Sequence, residues 1–177
     1  MSSRPVLAAL LCLLCAACVR MDEWYAPPMQ RKPMAGPVVS PLRHFVSMND
    51  PRAGDYLVRD VSATLEGNAF RWTRKRPTLR FVVQSTENLR FVMDFFLSPD
   101  TMKVTGPVTI SYYINNHLLD RVRYDKPGLV HFEKQVNPEW LTAGAETLVA
   151  AELDKVYIAP ADQAALGIVL SRAGFVD

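Results

Sequence analysis

Three cysteines follow one another at a spacing of three residues near the N-terminus: Cys12, Cys15 and Cys18. Thiols at this spacing could bind zinc or form a redox pair. A zinc site needs a second cysteine pair or added histidines on a folded scaffold, whereas these thiols lie in the apolar run "LLCLLCAAC", and no cysteine follows Cys18. We therefore predict no metal site and no cofactor.

The segment around these cysteines has the layout of an export signal. Arg4 is a positive charge near the start, residues 6–14 form an apolar core, and two alanines precede Cys18. A membrane-spanning helix needs about 20 apolar residues, and Arg20 interrupts the run before that length is reached. Residues 1–17 are therefore predicted to be a signal peptide.

The motif "CAAC", residues 15–18, resembles the lipobox of bacterial lipoproteins. The two alanines match the small positions before the lipidated cysteine, while Cys15 stands where the family usually has leucine. The resemblance implies cleavage before Cys18 and acylation of that residue, so the partner would be the lipid bilayer of the bacterial cell envelope. Val19 stands where an aspartate would favour the inner membrane, so we expect the outer membrane. The alternative is an ordinary signal peptide, cleaved nearby, that leaves Cys18 as a free thiol.

A second group of residues with chemical potential is "FRWTRKRP", residues 70–77. Trp72 is followed by Arg74 and Arg76, and "KRP" predicts the tip of a hairpin. An aromatic ring beside guanidinium groups could stack on a sugar or bind a phosphate, which would suit an anionic glycan, a lipid headgroup or an acidic protein. The alternative, which we favour, places the aromatic rings in the core and leaves the basic residues on an exposed tip.

The run "INNHLL" offers Asn115, Asn116 and His117 as a loop that could bind the hydroxyl groups of a polyol. Adjacent asparagines are also what a tight hairpin with positive φ angles requires, and we favour this explanation. On the next predicted strand, His131 and Glu133 share an outward face. They could bind a metal or transfer protons, but a solvated row of cross-strand side chains is the commoner arrangement.

No catalytic residue is predicted. The chain has no HExxH, GxSxG, phosphate-binding loop or dinucleotide-binding motif. A glycoside hydrolase needs two carboxyl groups about 5 to 10 Å apart in a cleft, and the sequence has many acids but no spacing that selects a pair.

The elements that must position these residues are predicted to be β-strands. Apolar residues alternate with polar ones in "TLRFVVQ", "NLRFVMDFFL" and "PVTISYYIN", and turn residues separate at least eight such segments at intervals of about ten residues. Only "NPEWL", residues 137–141, predicts a short helical turn. The fold class is therefore all-β, an antiparallel two-sheet β-sandwich of jelly-roll type. Residues 18–54, rich in proline, are predicted to be a tether, and residues 55–177 the β-sandwich domain.

The charge balance argues against a nucleic-acid partner, because 20 basic and 18 acidic residues give a formal net charge of only +2.

Residues 106–175 resemble jelly-roll modules of the galactose-binding-like type, including those of bacterial lipoproteins. The resemblance implies a sandwich and hints at carbohydrate binding. We therefore predict a membrane-anchored envelope lipoprotein with a non-catalytic binding or scaffolding module, whose partner is a glycan or an envelope protein. A carbohydrate-binding module is the first alternative, and a glycan hydrolase with an unrecognised acid pair is the second.

Overall fold

The computed structural model of the protein describes residues 42–177. The predicted signal peptide, the lipidation site Cys18 and most of the predicted tether lie outside these residues.

The described chain folds as an all-β domain in which every strand pair is antiparallel. The strands are β1 Phe45–Ser47, β2 Leu57–Val61, β3 Arg71–Val82, β4 Arg90–Leu97, β5 Val108–Ile114, β6 His117–Tyr124, β7 Gly128–Gln135, β8 Glu146–Leu153, β9 Tyr157–Ile158, β10 Ala165–Leu166 and β11 Val169–Val176. Helix α1 is Pro99–Thr105, and 3₁₀ turns occur at Ala53–Tyr56 and Pro138–Trp140. The predicted fold class, an antiparallel sandwich of jelly-roll type, is confirmed.

Nine strands form one hydrogen-bonded sheet: seven follow the path β6-β5-β8-β3-β11-β4-β7, and β2 is added to β3 and β1 to β11. The path folds over at β3 into two layers. Layer 1 has the order β2-β3-β8-β5-β6, and layer 2 has the order β1-β11-β4-β7. A salt bridge of 2.8 Å between Lys134 of β7 and Asp120 of β6 joins the two ends of the path.

Strand β3 contributes to both layers. Its first residues, Arg71 and Trp72, pair with β11, and residues 78–82 pair with β8. Strand β2 pairs with both parts of β3, since Val61 lies opposite Thr73 and Arg59 lies opposite Thr78. Between these two pairs β3 has four residues, whereas β2 has only Asp60. Residues 74–77 therefore form a wide bulge at the point where β3 passes from one layer to the other.

The bulge corrects one prediction. We expected "KRP", residues 75–77, to be a hairpin tip between two strands, but the chain continues as a single strand of twelve residues. Pro77 is tolerated because a bulge leaves backbone groups out of the ladder, so its missing N–H costs no strand hydrogen bond. Arg74 and Lys75 are exposed at the bulge, as they would have been at a turn.

The core lies between the layers. The alternation in β4 buries Phe91, Met93 and Phe95 almost completely, as the sequence predicted. From the opposite layer, the ring of Tyr112 stacks on Phe132 with a centroid distance of 3.6 Å and an interplanar angle of 9°. Burial raises the pKa of Tyr112, whose hydroxyl is satisfied by that of Tyr124 at 2.8 Å.

The domain begins earlier than the predicted boundary at residue 55. Strand β1 pairs with β11, and Met48 and Ala53 are fully buried. A strand of three residues is too short to show a periodic pattern, and the prolines around it are typical of a linker.

Two helical segments can be compared with the helix start signals of the sequence. The predicted turn at "NPEWL" is present, and the Asn137 side chain accepts the backbone N–H of Glu139. Helix α1 was not predicted, although Ser98 and Pro99 fit the cap and first position of a helix. With seven residues, α1 is the longest helix within residues 42–177, and none there could span a bilayer.

Replacement of Gly174 by alanine should destabilise the domain by about 1 to 3 kcal/mol. Gly174 has a φ of +153°, and an added Cβ would lie 2.4 Å from the backbone of both His44 and Phe45, so β1 would have to leave β11. The measurement is the free energy of unfolding in urea. Gly54→Ala is the matched control, because nothing lies within 4 Å of the added methyl group, and a Gly174→Ala variant as stable as that control would contradict the packing described.

Candidate functional site

A cleft of about 490 Å³ surrounds the predicted site residue Trp72. It lies between the loop that joins β2 to β3, the first half of β3 and the segment that leads into β10. We call it the Trp72 cleft. Its lining residues are Asp60, Val61, Ser62, Ala63, Glu66, Trp72, Thr73, Arg74, Asp162, Ala164, Ala165 and Leu166.

Trp72 is half-buried and forms part of the cleft wall. Its indole N–H donates to Oε2 of Glu66 at 3.1 Å, which fixes the ring against the β2–β3 loop. The loop reverses at Gly67 and Asn68, both with positive φ. Arg71 is buried and donates to the carbonyl groups of Ser62 and Ala63, so it holds the other arm of the loop.

The expected orientation of "FRW" is therefore reversed. Arg71 is 8% exposed, whereas Trp72 and Phe70 are only half-buried. The sequence could not show this, because a buried arginine that binds loop carbonyls has the same pattern as an exposed one.

Three carboxylates line the Trp72 cleft, and each uses one oxygen for a structural hydrogen bond. Asp60 accepts the backbone N–H of Arg76 at 2.9 Å, Asp162 accepts that of Ala164 at 3.0 Å, and Glu66 accepts the indole N–H. The second oxygen of each has no hydrogen-bond partner within residues 42–177, nor has the guanidinium group of the exposed Arg74. The cleft therefore offers an aromatic ring together with uncommitted acceptors and donors.

Arg76 belongs to the bulge together with Arg74, but it lies on a different surface from Trp72 and Arg74. Its guanidinium carbon lies 5.2 Å from the centre of the Tyr113 ring, and one Nη lies 3.6 Å from Glu152. Arg76 and Tyr113 line a different depression, on the outer face of layer 1, whereas Glu152 lies outside its lining. The predicted basic cluster is therefore divided between two surfaces.

The three residues of the predicted polyol loop have separate environments. Asn115 and Asn116 have φ angles of 47° and 67°, so the hairpin explanation is correct. The Asn115 side chain is committed to structure, because it donates to the carbonyl of Trp140 at 2.7 Å and accepts the N–H of Leu148 at 2.8 Å. The ring of His117 stacks on that of Trp140 with centroids 5.1 Å apart. Asn116 lines the depression beside Arg76.

His131 and Glu133 lie on the outer face of layer 2, as predicted, in a polar network that the sequence did not reveal. The two nitrogens of His131 lie 2.5 Å from Oδ1 of Asp94 and 3.0 Å from Oε2 of Glu133. Arg172 binds Asp94, and Arg90 binds Glu133. Strands β11, β4 and β7 are neighbours only in the folded sheet, so their registers bring these side chains together.

The network shifts the pKa values of its members. Hydrogen bonds to Glu133 and Asp94 raise the pKa of His131. Partial burial opposes ionisation of Asp94, but hydrogen bonds from Arg172 and His131 outweigh it and lower the pKa of that carboxyl. The hydrogen bond with His131 and the charge of Arg90 lower the pKa of Glu133. The group is therefore a set of mutually neutralising ion pairs, and within residues 42–177 no cluster of three acidic, histidine or cysteine side chains could hold a metal ion.

No protein-family model and no curated protein matches the chain. Among solved structures, an acetyl xylan esterase of Butyrivibrio proteoclasticus aligns over 77% of this chain and 34% of its own, at 9% identity and a TM-score of 0.44. The chain thus spans about a third of the length of that esterase. A family 35 carbohydrate binding module from an environmental isolate aligns over 78% of this chain and 90% of its own, at 10% identity and a TM-score of 0.42. A family 35 module of Clostridium thermocellum aligns over 66% and 86%, at 5% identity and a TM-score of 0.39. No residue role follows from likeness at this level.

A His131→Gln variant should lose stability relative to wild type below pH 6.5 and little at pH 9. The pKa of His131 is higher in the folded protein than in the unfolded chain. Its protonated form therefore stabilises the fold fully below the unfolded-state pKa of about 6.5, and this contribution disappears as the pH rises through the folded-state pKa. The lowered pKa values of Asp94 and Glu133 keep both partners charged down to about pH 4. The side chain of His131 is 53% exposed, so the difference should stay below about 1 kcal/mol.

The measurement is the free energy of unfolding in urea at pH 5.5, 7 and 9. His44→Gln is the control, since His44 is exposed in the segment before β1. A stability difference for His131→Gln that does not change with pH would contradict the ion pairing described.

Proposed function

We propose that the domain is a non-catalytic carbohydrate-binding module and that the Trp72 cleft is its binding site. The observation that carries this proposal is the combination, in one cleft of about 490 Å³, of Trp72 with carboxylates and a guanidinium group that have uncommitted polar atoms. The volume lies within the range of about 300 to 1,000 Å³ typical of small-molecule sites.

The chemistry of this cleft suits a sugar. The C–H face of a pyranose ring packs on an aromatic ring, and the indole of Trp72 is already held in place by Glu66. Sugar hydroxyl groups donate to carboxylates, and the cleft has free acceptor atoms on Asp60, Glu66 and Asp162. Hydroxyl oxygens also accept from guanidinium N–H groups, and Arg74 is available.

The arrangement favours glycan binding over a purely scaffolding role. If Trp72 were only a core residue, it would be enclosed, and Arg74 would be an isolated surface charge. Instead, Trp72 is half-buried in the wall of a cleft that Arg74 also lines.

The case for hydrolysis is weaker than the case for binding. A glycoside hydrolase needs a carboxylic acid whose pKa is raised, so that it is protonated at neutral pH. Asp94, Asp120 and Glu133 have displaced pKa values, and all three are lowered by hydrogen bonds to basic partners despite the opposing effect of burial. Such groups stay ionised and cannot donate a proton to a leaving group.

A Trp72→Leu variant should bind its glycan about tenfold more weakly than wild type, or lose detectable binding, because the stacking surface is removed. The measurement is binding of the purified domain to a glycan array, followed by calorimetry with the best glycan. Trp140→Leu is the matched control, since Trp140 is also half-buried but stacks on His117 away from the cleft.

Thermal unfolding of both variants shows whether they remain folded. Equal affinity of a folded Trp72→Leu variant and wild type would place the glycan elsewhere. Absence of binding to every glycan would contradict the proposed function and favour the scaffolding alternative.

We further propose that acylated Cys18 anchors the protein to the bacterial cell envelope, with the outer membrane as its destination. The support is the export signal and the small pair before Cys18 in the sequence. Two or more acyl chains give firm anchorage, since each buried CH₂ group contributes about 0.8 kcal/mol.

In cells fed a fatty-acid analogue, Cys18→Ser should abolish labelling of the protein. Cys12→Ser is the matched control and should retain the label, because Cys12 lies outside the "CAAC" motif. Label retained by the Cys18→Ser variant would overturn the proposed anchor.

A further inference from the structure

The outer face of layer 1 carries a second depression, which we call the sheet trough. Its lining residues are Val58, Arg59, Arg76, Thr78, Tyr113, Asn116, Leu148 and Ala150, and its volume is about 370 Å³. None of these residues lines the Trp72 cleft, so the two surfaces are separate.

The registers of four strands explain why the sheet has a trough here. Arg59 of β2 lies opposite Thr78 of β3, and Thr78 lies opposite Ala150 of β8. Ala150 in turn lies opposite Tyr113 of β5. Residues that are directly opposite share a face, so this row has two small side chains in the middle and two large ones at its ends. The small side chains form a floor, and the large ones form walls.

The trough combines an apolar surface with positive charge. Val58 and Leu148 are 48% and 38% exposed, so both present apolar surface within the trough. Among the lining residues within 42–177, Arg59 and Arg76 are the only charged ones and none is a carboxylate. By contrast, the Trp72 cleft contains three acids and one arginine.

Neither arginine is fully neutralised by the described residues. Arg59 is exposed and has no ion-pair partner within residues 42–177. Arg76 is oriented by the Tyr113 ring, and its contact with Glu152 at 3.6 Å is long for a charge-assisted hydrogen bond. Its Nε is enclosed and has no acceptor in the described chain. The trough therefore has a local excess of positive charge although the whole chain is nearly balanced.

We propose that the sheet trough binds a saccharide that carries a negatively charged group, a carboxylate or a phosphate. The anionic group would lie between Arg59 and Arg76, whose planar guanidinium groups bind such anions bidentately. The apolar face of the sugar ring would cover Leu148 and Ala150, with Asn116 available to a hydroxyl group. A volume of about 370 Å³ suits one or two sugar rings and is small for a folded partner. The saccharide nature of the ligand rests on the proposed function, whereas the excess of positive charge in the trough does not.

The test is isothermal titration calorimetry of the domain at low salt with trigalacturonate, glucose 6-phosphate, neutral galactotriose and inorganic phosphate. Wild type should bind one or both acidic sugars at least tenfold more tightly than galactotriose and than phosphate alone. The preferred acidic sugar identifies the anionic group. Because the contact is electrostatic, binding should weaken as salt is added.

Variants localise the binding. Arg59→Gln should weaken binding of the acidic sugar about tenfold, and Ala150→Leu should abolish it by filling the floor without a change in charge. Arg43→Gln is the matched control, because Arg43 is exposed before β1 and does not line the trough. Thermal unfolding verifies that each variant is folded.

Three results would overturn the inference: no binding of either acidic sugar, equal affinity for galactotriose, or equal affinity for inorganic phosphate, which would make the trough a simple anion site. Trp72→Leu should leave binding of the acidic sugar intact. Loss of that binding in Trp72→Leu, but not in Arg59→Gln, would move the acidic sugar to the Trp72 cleft and leave the proposed function standing. If glycan-array binding depends on Trp72 but is unchanged in Arg59→Gln, this inference fails while the proposed function stands.

Discussion

The bulge of β3 opposite Asp60 is the constraint on which both surfaces depend. Four residues of β3 face one residue of β2 at this point, and Asp60 adopts a φ of 57° while its carboxylate accepts the N–H of Arg76. The extra residues let β3 leave its pairing with β11 and take up pairing with β8, so the sheet folds into two layers. Arg74 consequently faces the Trp72 cleft, whereas Arg76 faces the sheet trough.

The distribution of charge follows from the same architecture. Acids gather around Trp72, whereas the lining of the sheet trough has two arginines and Glu152 contacts one of them, Arg76, from outside the lining. On the outer face of layer 2, by contrast, Arg172, Asp94, His131, Glu133 and Arg90 neutralise one another. Exposed pairs of that kind contribute little free energy and leave little for a ligand to bind. A ligand gains the most binding free energy where it pairs with charges that the chain leaves uncompensated.

Local signals in the sequence were reliable where the cause of the structure is itself local. Asn115 and Asn116 tolerate positive φ and therefore form the predicted turn, and the alternation in β4 places Phe91, Met93 and Phe95 in the core. Helix α1 also has a local start signal, since Ser98 and Pro99 fit the cap and first position of a helix. The tip predicted at residues 75–77 failed for a different reason. A proline after basic residues fits a turn and a bulge equally, and the partner strand decides between them.

The sequence by itself determined the fold class, the approximate extent of most strands and the residue types that could bind a ligand, because period-two alternation and turn residues act over a few neighbours. It also placed Trp72 and Arg74 together, since they are two residues apart on one strand. The tertiary structure alone decided that Asp60, Glu66 and Asp162 surround that pair, and that Arg59, Thr78, Ala150 and Tyr113 form one row. Strand order and register set these proximities. They depend on hydrogen bonds between segments up to about a hundred residues apart, such as β3 and β11, and no local pattern encodes such pairings.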